Sequence, residues 1–352
     1  DTAAGDTAAG DTARDTSTDE VADAGSGDLD PDDLDAAGRD SSDSQIDGDR
    51  GSEVAMIGDA LDCRARGSAG GLATGDELLR YDLDTSVFPE ALCNDGSAAF
   101  FYFRPYQGAE NQDRWVIQLQ GGGSCANGEN CAQRWCSEGT NFGVQGMAAD
   151  ESPEVGTSGK GFMRRCGANP VGAFNQVLVG YCSSDGWAGG ASDVVLEGPH
   201  PITGELVTYR IHFQGHNILE AVLDVLRQDT VSGPIYQPLG GGALPMPDLD
   251  EAQHVLLIGA SAGGSGVINN ADFVQTLLRE HNEACQSGGT CPLDYRVLID
   301  SIVATNNSVI DFSGSALCDD SGLCSYEAVF TTAFEGGLAR NMFRDESCQD
   351  WH

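Results

Sequence analysis

The stretch VLLIGASAGGSG, Val255 to Gly266, restricts what this chain can fold into more than any other. An apolar run ends in Gly259-Ala260-Ser261-Ala262-Gly263. A helical stripe of Val267, Ile268, Phe273, Val274 and Leu277 follows, on a helix expected to start near Gly264 or Ser265. Strand, G-x-S-x-G and helix in that order describe a nucleophile elbow, a strained turn whose flanking residues must be small for strand and helix to meet. The competing reading is a plain strand-to-helix turn with an exposed serine.

Three other apolar runs end in small or polar residues: RWVIQLQ (Arg114 to Gln120), QVLVG (Gln176 to Gly180) and YRVLI (Tyr295 to Ile299). Such runs predict buried, parallel strands, with a helix over Gly215 to Gln228 presenting Ile218, Leu219, Val222, Val225 and Leu226. The expected class is α/β, with ligands at the C-terminal edge of a mainly parallel sheet flanked by helices.

A serine becomes a nucleophile only with a base, an orienting carboxylate and amides for the oxyanion. QLQGGGSC, Gln118 to Cys125, offers bare backbone after a strand, so Gly122 or Gly123 and the amide of Ala262 are the expected donors. The same glycines could form a plain loop, but no G-x-x-x-x-G-K-[ST] pattern exists to make a P-loop. Asp300, ending an apolar run after Ser261, is the expected acid, with Asp311 in reserve. The base is harder to find. His200, His212, His216 and His254 precede the serine, His281 precedes the acid, and His352 is the last residue. Either His352 serves, or the chain is cut before its base, which is the reading preferred here.

Residues 1–54 read as a disordered acidic linker of low complexity, and 55–352 as one hydrolase domain truncated at its C-terminus. The linker opens with a five-residue Asp-Thr-Ala-Gly repeat and has too few apolar groups to offset the entropy of ordering. Asp43 to Glu53 resembles a calcium loop only superficially, because the EF-hand spacing is absent. The net charge of −37, about fifteen of it before Leu61, disfavours nucleic acid and anionic membrane as partners. Twelve cysteines without a CxxC array indicate disulfides and an exported protein, secreted, periplasmic or at the cell surface. No run spans a bilayer, and a monomer is expected.

LQGGGSCANGENC (Leu119 to Cys131), GYCSSDGWAGG (Gly180 to Gly190), FQGHNILEAVL (Phe213 to Leu223) and GASAGGSGV (Gly259 to Val267) together resemble the pectin acetylesterase family, which includes the Notum-type carboxylesterases. The resemblance implies an α/β-hydrolase-like fold and ester hydrolysis, with Ser261 as nucleophile, Asp300 as acid, and Gly122, Gly123 and Ala262 at the oxyanion. Asp300 departs from the family, which usually has glycine soon after this aspartate. Ser124 stands where many relatives carry tryptophan, and with Trp187 it is expected to line the substrate pocket. Cys125, Cys131, Cys136 and Cys182 fall in family-like positions for disulfides of unstated pairing.

The expected chemistry is two-step acyl transfer to water, without metal or cofactor, on an acetylated extracellular polysaccharide such as pectin or, second, on a longer acyl chain such as a protein lipid. Two rivals stand beside it. One is a metal site on His212 and His216 with Glu220, which a change from strand to helix near Gly215 would break. The other is a non-catalytic carbohydrate- or lipid-binding surface protein on a hydrolase scaffold.

Overall fold

The computed structural model describes residues 54–63, 77–125, 127–137, 147–151, 156–157, 161–165, 168–238, 241–286 and 290–301. Residues 1–53 of the acidic linker, Asp311 and His352 lie outside them. Among the described residues the strands are β1 (Leu78–Asp82), β2 (Phe100–Arg104), β3 (Arg114–Leu119), β4 (Gly156–Thr157), β5 (Asn175–Val179), β6 (Ala191–Pro199), β7 (Leu206–Phe213), β8 (Ile235–Tyr236), β9 (Leu244–Pro245), β10 (His254–Ala260) and β11 (Asp294–Asp300). The α-helices are α1 (Ile57–Ala60), α2 (Gly128–Cys136), α3 (Gly215–Leu226), α4 (Ala262–His281) and α5 (Glu283–Gln286).

Seven strands form one sheet in the order β11-β10-β3-β5-β2-β1-β4. The four apolar runs read from the sequence are its parallel part, β5, β3, β10 and β11. The rest is antiparallel: β2 pairs with β5, and β1 with β2 and β4. Every residue of β2, FFYFR, is buried, so it lacks the alternation that marks a one-sided antiparallel strand. The small sheet of β6 and β7 was not expected either. Its hairpin sits on α2 and α1 over a separate core that includes Ile57, Trp135, Tyr209, Ile211 and Phe213.

Chain order and spatial order diverge at β3. The chain leaves β3 for β5 on one side and later returns through α3 to β10 on the other, so the C-terminal ends of β3 and β10 border a topological switch point. Both ends carry the glycine-rich segments read above. Helix α4 starts at Ala262, two or three residues earlier than expected, because Gly263 and Gly264, poor helix formers in isolation, are accepted where the backbone must approach the sheet closely.

Four disulfides join described cysteines: Cys63–Cys136, Cys93–Cys182, Cys125–Cys131 and Cys285–Cys291. Cys93–Cys182 spans 89 residues and ties the segment after β1 to the loop after β5, whereas Cys125–Cys131 spans 6. Loop-closure entropy therefore predicts unequal losses in urea unfolding. Changing Cys93 and Cys182 to alanine should lower the unfolding free energy about 2 kcal/mol more than changing Cys125 and Cys131. Equal losses would show that strain or residual unfolded structure outweighs chain entropy.

Candidate active site

Ser261 joins β10 directly to α4 with φ 55° and ψ −125°, a conformation costing a non-glycine residue about 1–3 kcal/mol. Three glycines make the junction possible. A β-carbon on Gly259 would stand 2.0 Å from the Gly263 carbonyl oxygen, and one on Gly263 would stand 2.1 Å from that of Leu119. One on Gly121 would stand 2.5 Å from the Ala260 carbonyl oxygen and 3.4 Å from Cβ of Ser261. Bare backbone after β3 thus lies against the serine bend. The amides of Gly122 and Gly123 have no acceptor among the described residues, and Ala262, as the first residue of α4, has an amide outside the helical ladder. Gly123 has φ 73°.

Asp300 reaches the same place from β11. Its carbonyl accepts a hydrogen bond from the Ser261 amide at 3.2 Å, and the Ser301 hydroxyl donates to its carboxylate at 3.2 Å. The parallel register pairs Ala260 with Asp300, so Ser261, the glycine loop and Asp300 share one sheet edge.

The described histidines lie elsewhere. His254 begins β10, at the opposite edge, beside Asp294, and His281 ends α4. His200 sits in the turn between β6 and β7, accepting from the Ile202 and Thr203 amides. His212, in β7, accepts from the Asp193 amide, and burial pushes its pKa below the usual histidine value. His216, in the first turn of α3, pairs with Asn270 at 2.7 Å and packs edge-on against Phe273. The Asn270 amide in turn donates to the Trp187 and Gly266 carbonyls, so His216 is held against the flank of α4. His212 and His216 are separated by the change from strand to helix and take different partners. Among the described residues no three His, Cys, Asp or Glu side chains gather as for a metal.

Trp187, expected at the pocket wall, has no exposed surface. Its indole N–H donates to the Gln120 carbonyl at 3.0 Å, its ring lies 5.2 Å from that of Tyr181, and it fills the space left by Gly266. It supports the glycine loop from beneath. Ser124, by contrast, lines an open cleft of about 440 Å³ together with Gly123, Asn130, Gln133, Arg134 and Ser137. Ser261 is not among those residues, so the cleft lies on the α2 side of the glycine loop.

Two charged residues that sequence reading did not single out organise this edge. Asp185 is buried and accepts from the Ser183 hydroxyl (2.7 Å) and the amides of Trp187 (2.9 Å), Gly189 (3.1 Å) and Gly215 (2.7 Å). One carboxylate thereby holds the loop after β5 and the start of α3. Arg134 is buried on α2 and donates from Nε to the Ser184 hydroxyl at 2.9 Å. The signal for Asp185 was a lone acid among small residues after an apolar strand, and for Arg134 a cation between Cys131 and Cys136.

A pectinacetylesterase family profile matches residues 80–233. The chain is 30% identical over 217 residues to the palmitoleoyl-protein carboxylesterase notum1a of Danio rerio, covering 58% of this chain and 33% of that protein. It is likewise 30% identical to the palmitoleoyl-protein carboxylesterase NOTUM of Homo sapiens over 217 residues, again 58% and 33%. The chain thus spans about a third of the length of these curated relatives. A solved structure of the Wnt deacylase Notum from Drosophila superposes with a TM-score of 0.50 at 25% identity, covering 78% of this chain and 62% of that one. A second crystal form of it gives 0.52 at 24%, covering 77% and 63%, a likeness of fold.

The Asp185 network gives a direct test. In Asp185→Asn, an NH₂ group must face two of the four donors, leaving buried N–H or O–H groups without acceptors at about 1–3 kcal/mol each. Unfolding in urea should show a loss of about 2–5 kcal/mol. A loss under about 0.5 kcal/mol, the usual range for surface changes, would remove Asp185 from its organising place.

Proposed function

We propose that the chain, whose residues 80–233 match the pectinacetylesterase family profile, is a member of that family and a serine carboxylesterase acting on acetyl esters of an extracellular polysaccharide such as pectin. The reading is carried by one observation: a serine in a strained bend, set against glycine backbone in which the Gly122 and Gly123 amides have no acceptor among the described residues. In the mechanism, Ser261 attacks the ester carbonyl as a histidine takes its proton. The C–O bond to the alcohol then breaks, the alcohol leaves with that proton, and water releases the acid from the acyl-enzyme. In this reading the oxyanion rests on the amides of Ala262 and of Gly122 or Gly123, which flank the serine bend. Asp300 orients the histidine. His352 is the candidate base within this chain and lies outside the described residues.

Eight described cysteines joined in four disulfides suit an oxidising compartment, in keeping with an exported enzyme. Among the described residues no helix is long and apolar enough to cross a membrane. The curated relatives, named as palmitoleoyl-protein carboxylesterases, motivate a second reading, removal of a long acyl chain from a protein. The cleft beside the glycine loop, which carries Ser124, Asn130, Gln133, Arg134 and Ser137, offers hydrogen-bonding groups to the alcohol part of either substrate.

Hydrolysis of p-nitrophenyl acetate, p-nitrophenyl octanoate and acetylated pectin by the wild type and Ser261→Ala tests both parts. The wild type should exceed the variant by about 10³-fold or more, unaffected by EDTA, and should prefer acetyl to octanoyl esters. Equal rates for the two proteins would overturn the serine mechanism. A preference for the octanoyl ester would favour the deacylase reading.

A further inference from the structure

The guanidinium of Arg134 is buried beside the glycine loop. Removing such a charge from water is costly, and burial lowers its pKa from the ordinary arginine value. Its contacts include the glycine loop and the loop after β5. Nη1 lies 3.2 Å from where a β-carbon on Gly123 would stand, and Nε bonds the hydroxyl of Ser184. Both residues have positive φ, 73° for Gly123, which glycine takes without strain, and 51° for Ser184, which strains a residue with a side chain. The Cys125 amide donates to the Ser184 carbonyl at 2.9 Å, joining the glycine loop directly to the loop after β5.

Helix α2 is built to keep that side chain still. Nine residues form only a marginal helix alone, yet this one carries disulfides at Cys131 and Cys136, on either side of Arg134. The Asn127 side chain caps its start by accepting from the Asn130 amide, and the Trp135 indole donates to the Leu61 carbonyl. Gly128 meets Glu197 so closely that no side chain fits between them.

We propose that Arg134 is a positioning residue for ester hydrolysis: it braces Gly123 so that the glycine-loop amides face the developing oxyanion, and it adds positive potential behind them. The inference rests on the serine-esterase reading. A guanidinium beside preorganised donors strengthens with negative charge on the reacting oxygen, so its effect belongs to the transition state more than to ground-state binding. The side chain borders the open cleft, so a small cation from solution can reach the vacancy left by its truncation.

The test measures kcat and KM for p-nitrophenyl acetate with Arg134→Ala, Arg134→Lys and Ser261→Ala, each with and without millimolar guanidinium. Circular dichroism follows folding, and hydrogen exchange follows the Gly122 and Gly123 amides. Arg134→Ala should lose about 10- to 100-fold in kcat with KM changed less than about threefold, and guanidinium should restore part of the loss. Arg134→Lys, keeping the charge but not the fork, should fall between, and glycine-loop exchange should quicken in both. If Arg134→Ala does not fold, Arg134→Lys and its exchange rates decide. A folded Arg134 variant with wild-type kcat and exchange overturns the proposal, as does a loss confined to KM or one that guanidinium leaves unchanged. Ser261→Ala as active as the wild type sinks the parent reading instead, whatever the arginine variants do.

Discussion

Everything at this edge depends on backbone meeting backbone where no side chain can intervene. Gly259 lies against the Gly263 carbonyl, Gly263 against that of Leu119, and Gly121 against that of Ala260. A methyl at any of the three would overlap a carbonyl oxygen that belongs to a strand or a helix and so cannot swing aside as a flexible side chain would. The contacts lock β10, α4 and the segment after β3 into one block. Ser261 has no loop in which to relax, and its bend is held by the ladders on either side of β10 and by α4 packed on the sheet. The strain of the bend is thus set against a large body of regular structure.

Sheet order turns that local block into a site. β3 and β10 are neighbours in space but far apart in sequence, joined only after the chain has built β5, the β6–β7 hairpin and α3. The loops emerging from this edge carry many polar backbone groups that would be costly to bury unpaired. Asp185 meets that need for the loop after β5, and the Asn94 amide, donating to the Ser183 and His212 carbonyls, joins that loop to the end of β7. Among the described residues those bonds leave the amides of Gly122 and Gly123 without acceptors, at the same sheet edge as the serine.

What the sequence made legible follows from which signals are local. β3, β5, β10 and β11 are uninterrupted apolar runs closed by small residues, and α3 repeats its apolar residues at helical spacing, so pattern alone finds them. β2 is also uninterrupted, but its antiparallel partners are fixed by sheet position, which no window of residues contains. The hairpin of β6 and β7 mixes exposed Val195 and Leu206 with buried Tyr209 and Ile211, and its core is shared with α1 and α2. The serine, the glycine loop and Asp300 were readable because each ends a recognisable strand. Arg134 and Asp185 were not, because their importance lies in partners 50 and 30 residues away. Trp187 was placed in the pocket from its motif, while the small residues around it mark a ring buried between α4 and the glycine loop.

The two cores divide the work unequally, and disulfides supply what the smaller one lacks. The larger core packs both faces of the main sheet with aromatic and aliphatic side chains, whereas the core under the hairpin is small and includes Cys125 and Cys131 themselves. Small cores contribute too little burial to hold short elements alone. Helix α2, with nine residues, therefore borrows order from the covalent links at Cys131 and Cys136. Reduction of those links would leave the main sheet and the Ser261 bend largely intact while releasing α2 and the side chains it presents to the glycine loop. Oxidising conditions thus bear on the geometry of the site itself as well as on the stability of the whole, which couples the compartment to the chemistry through one short helix.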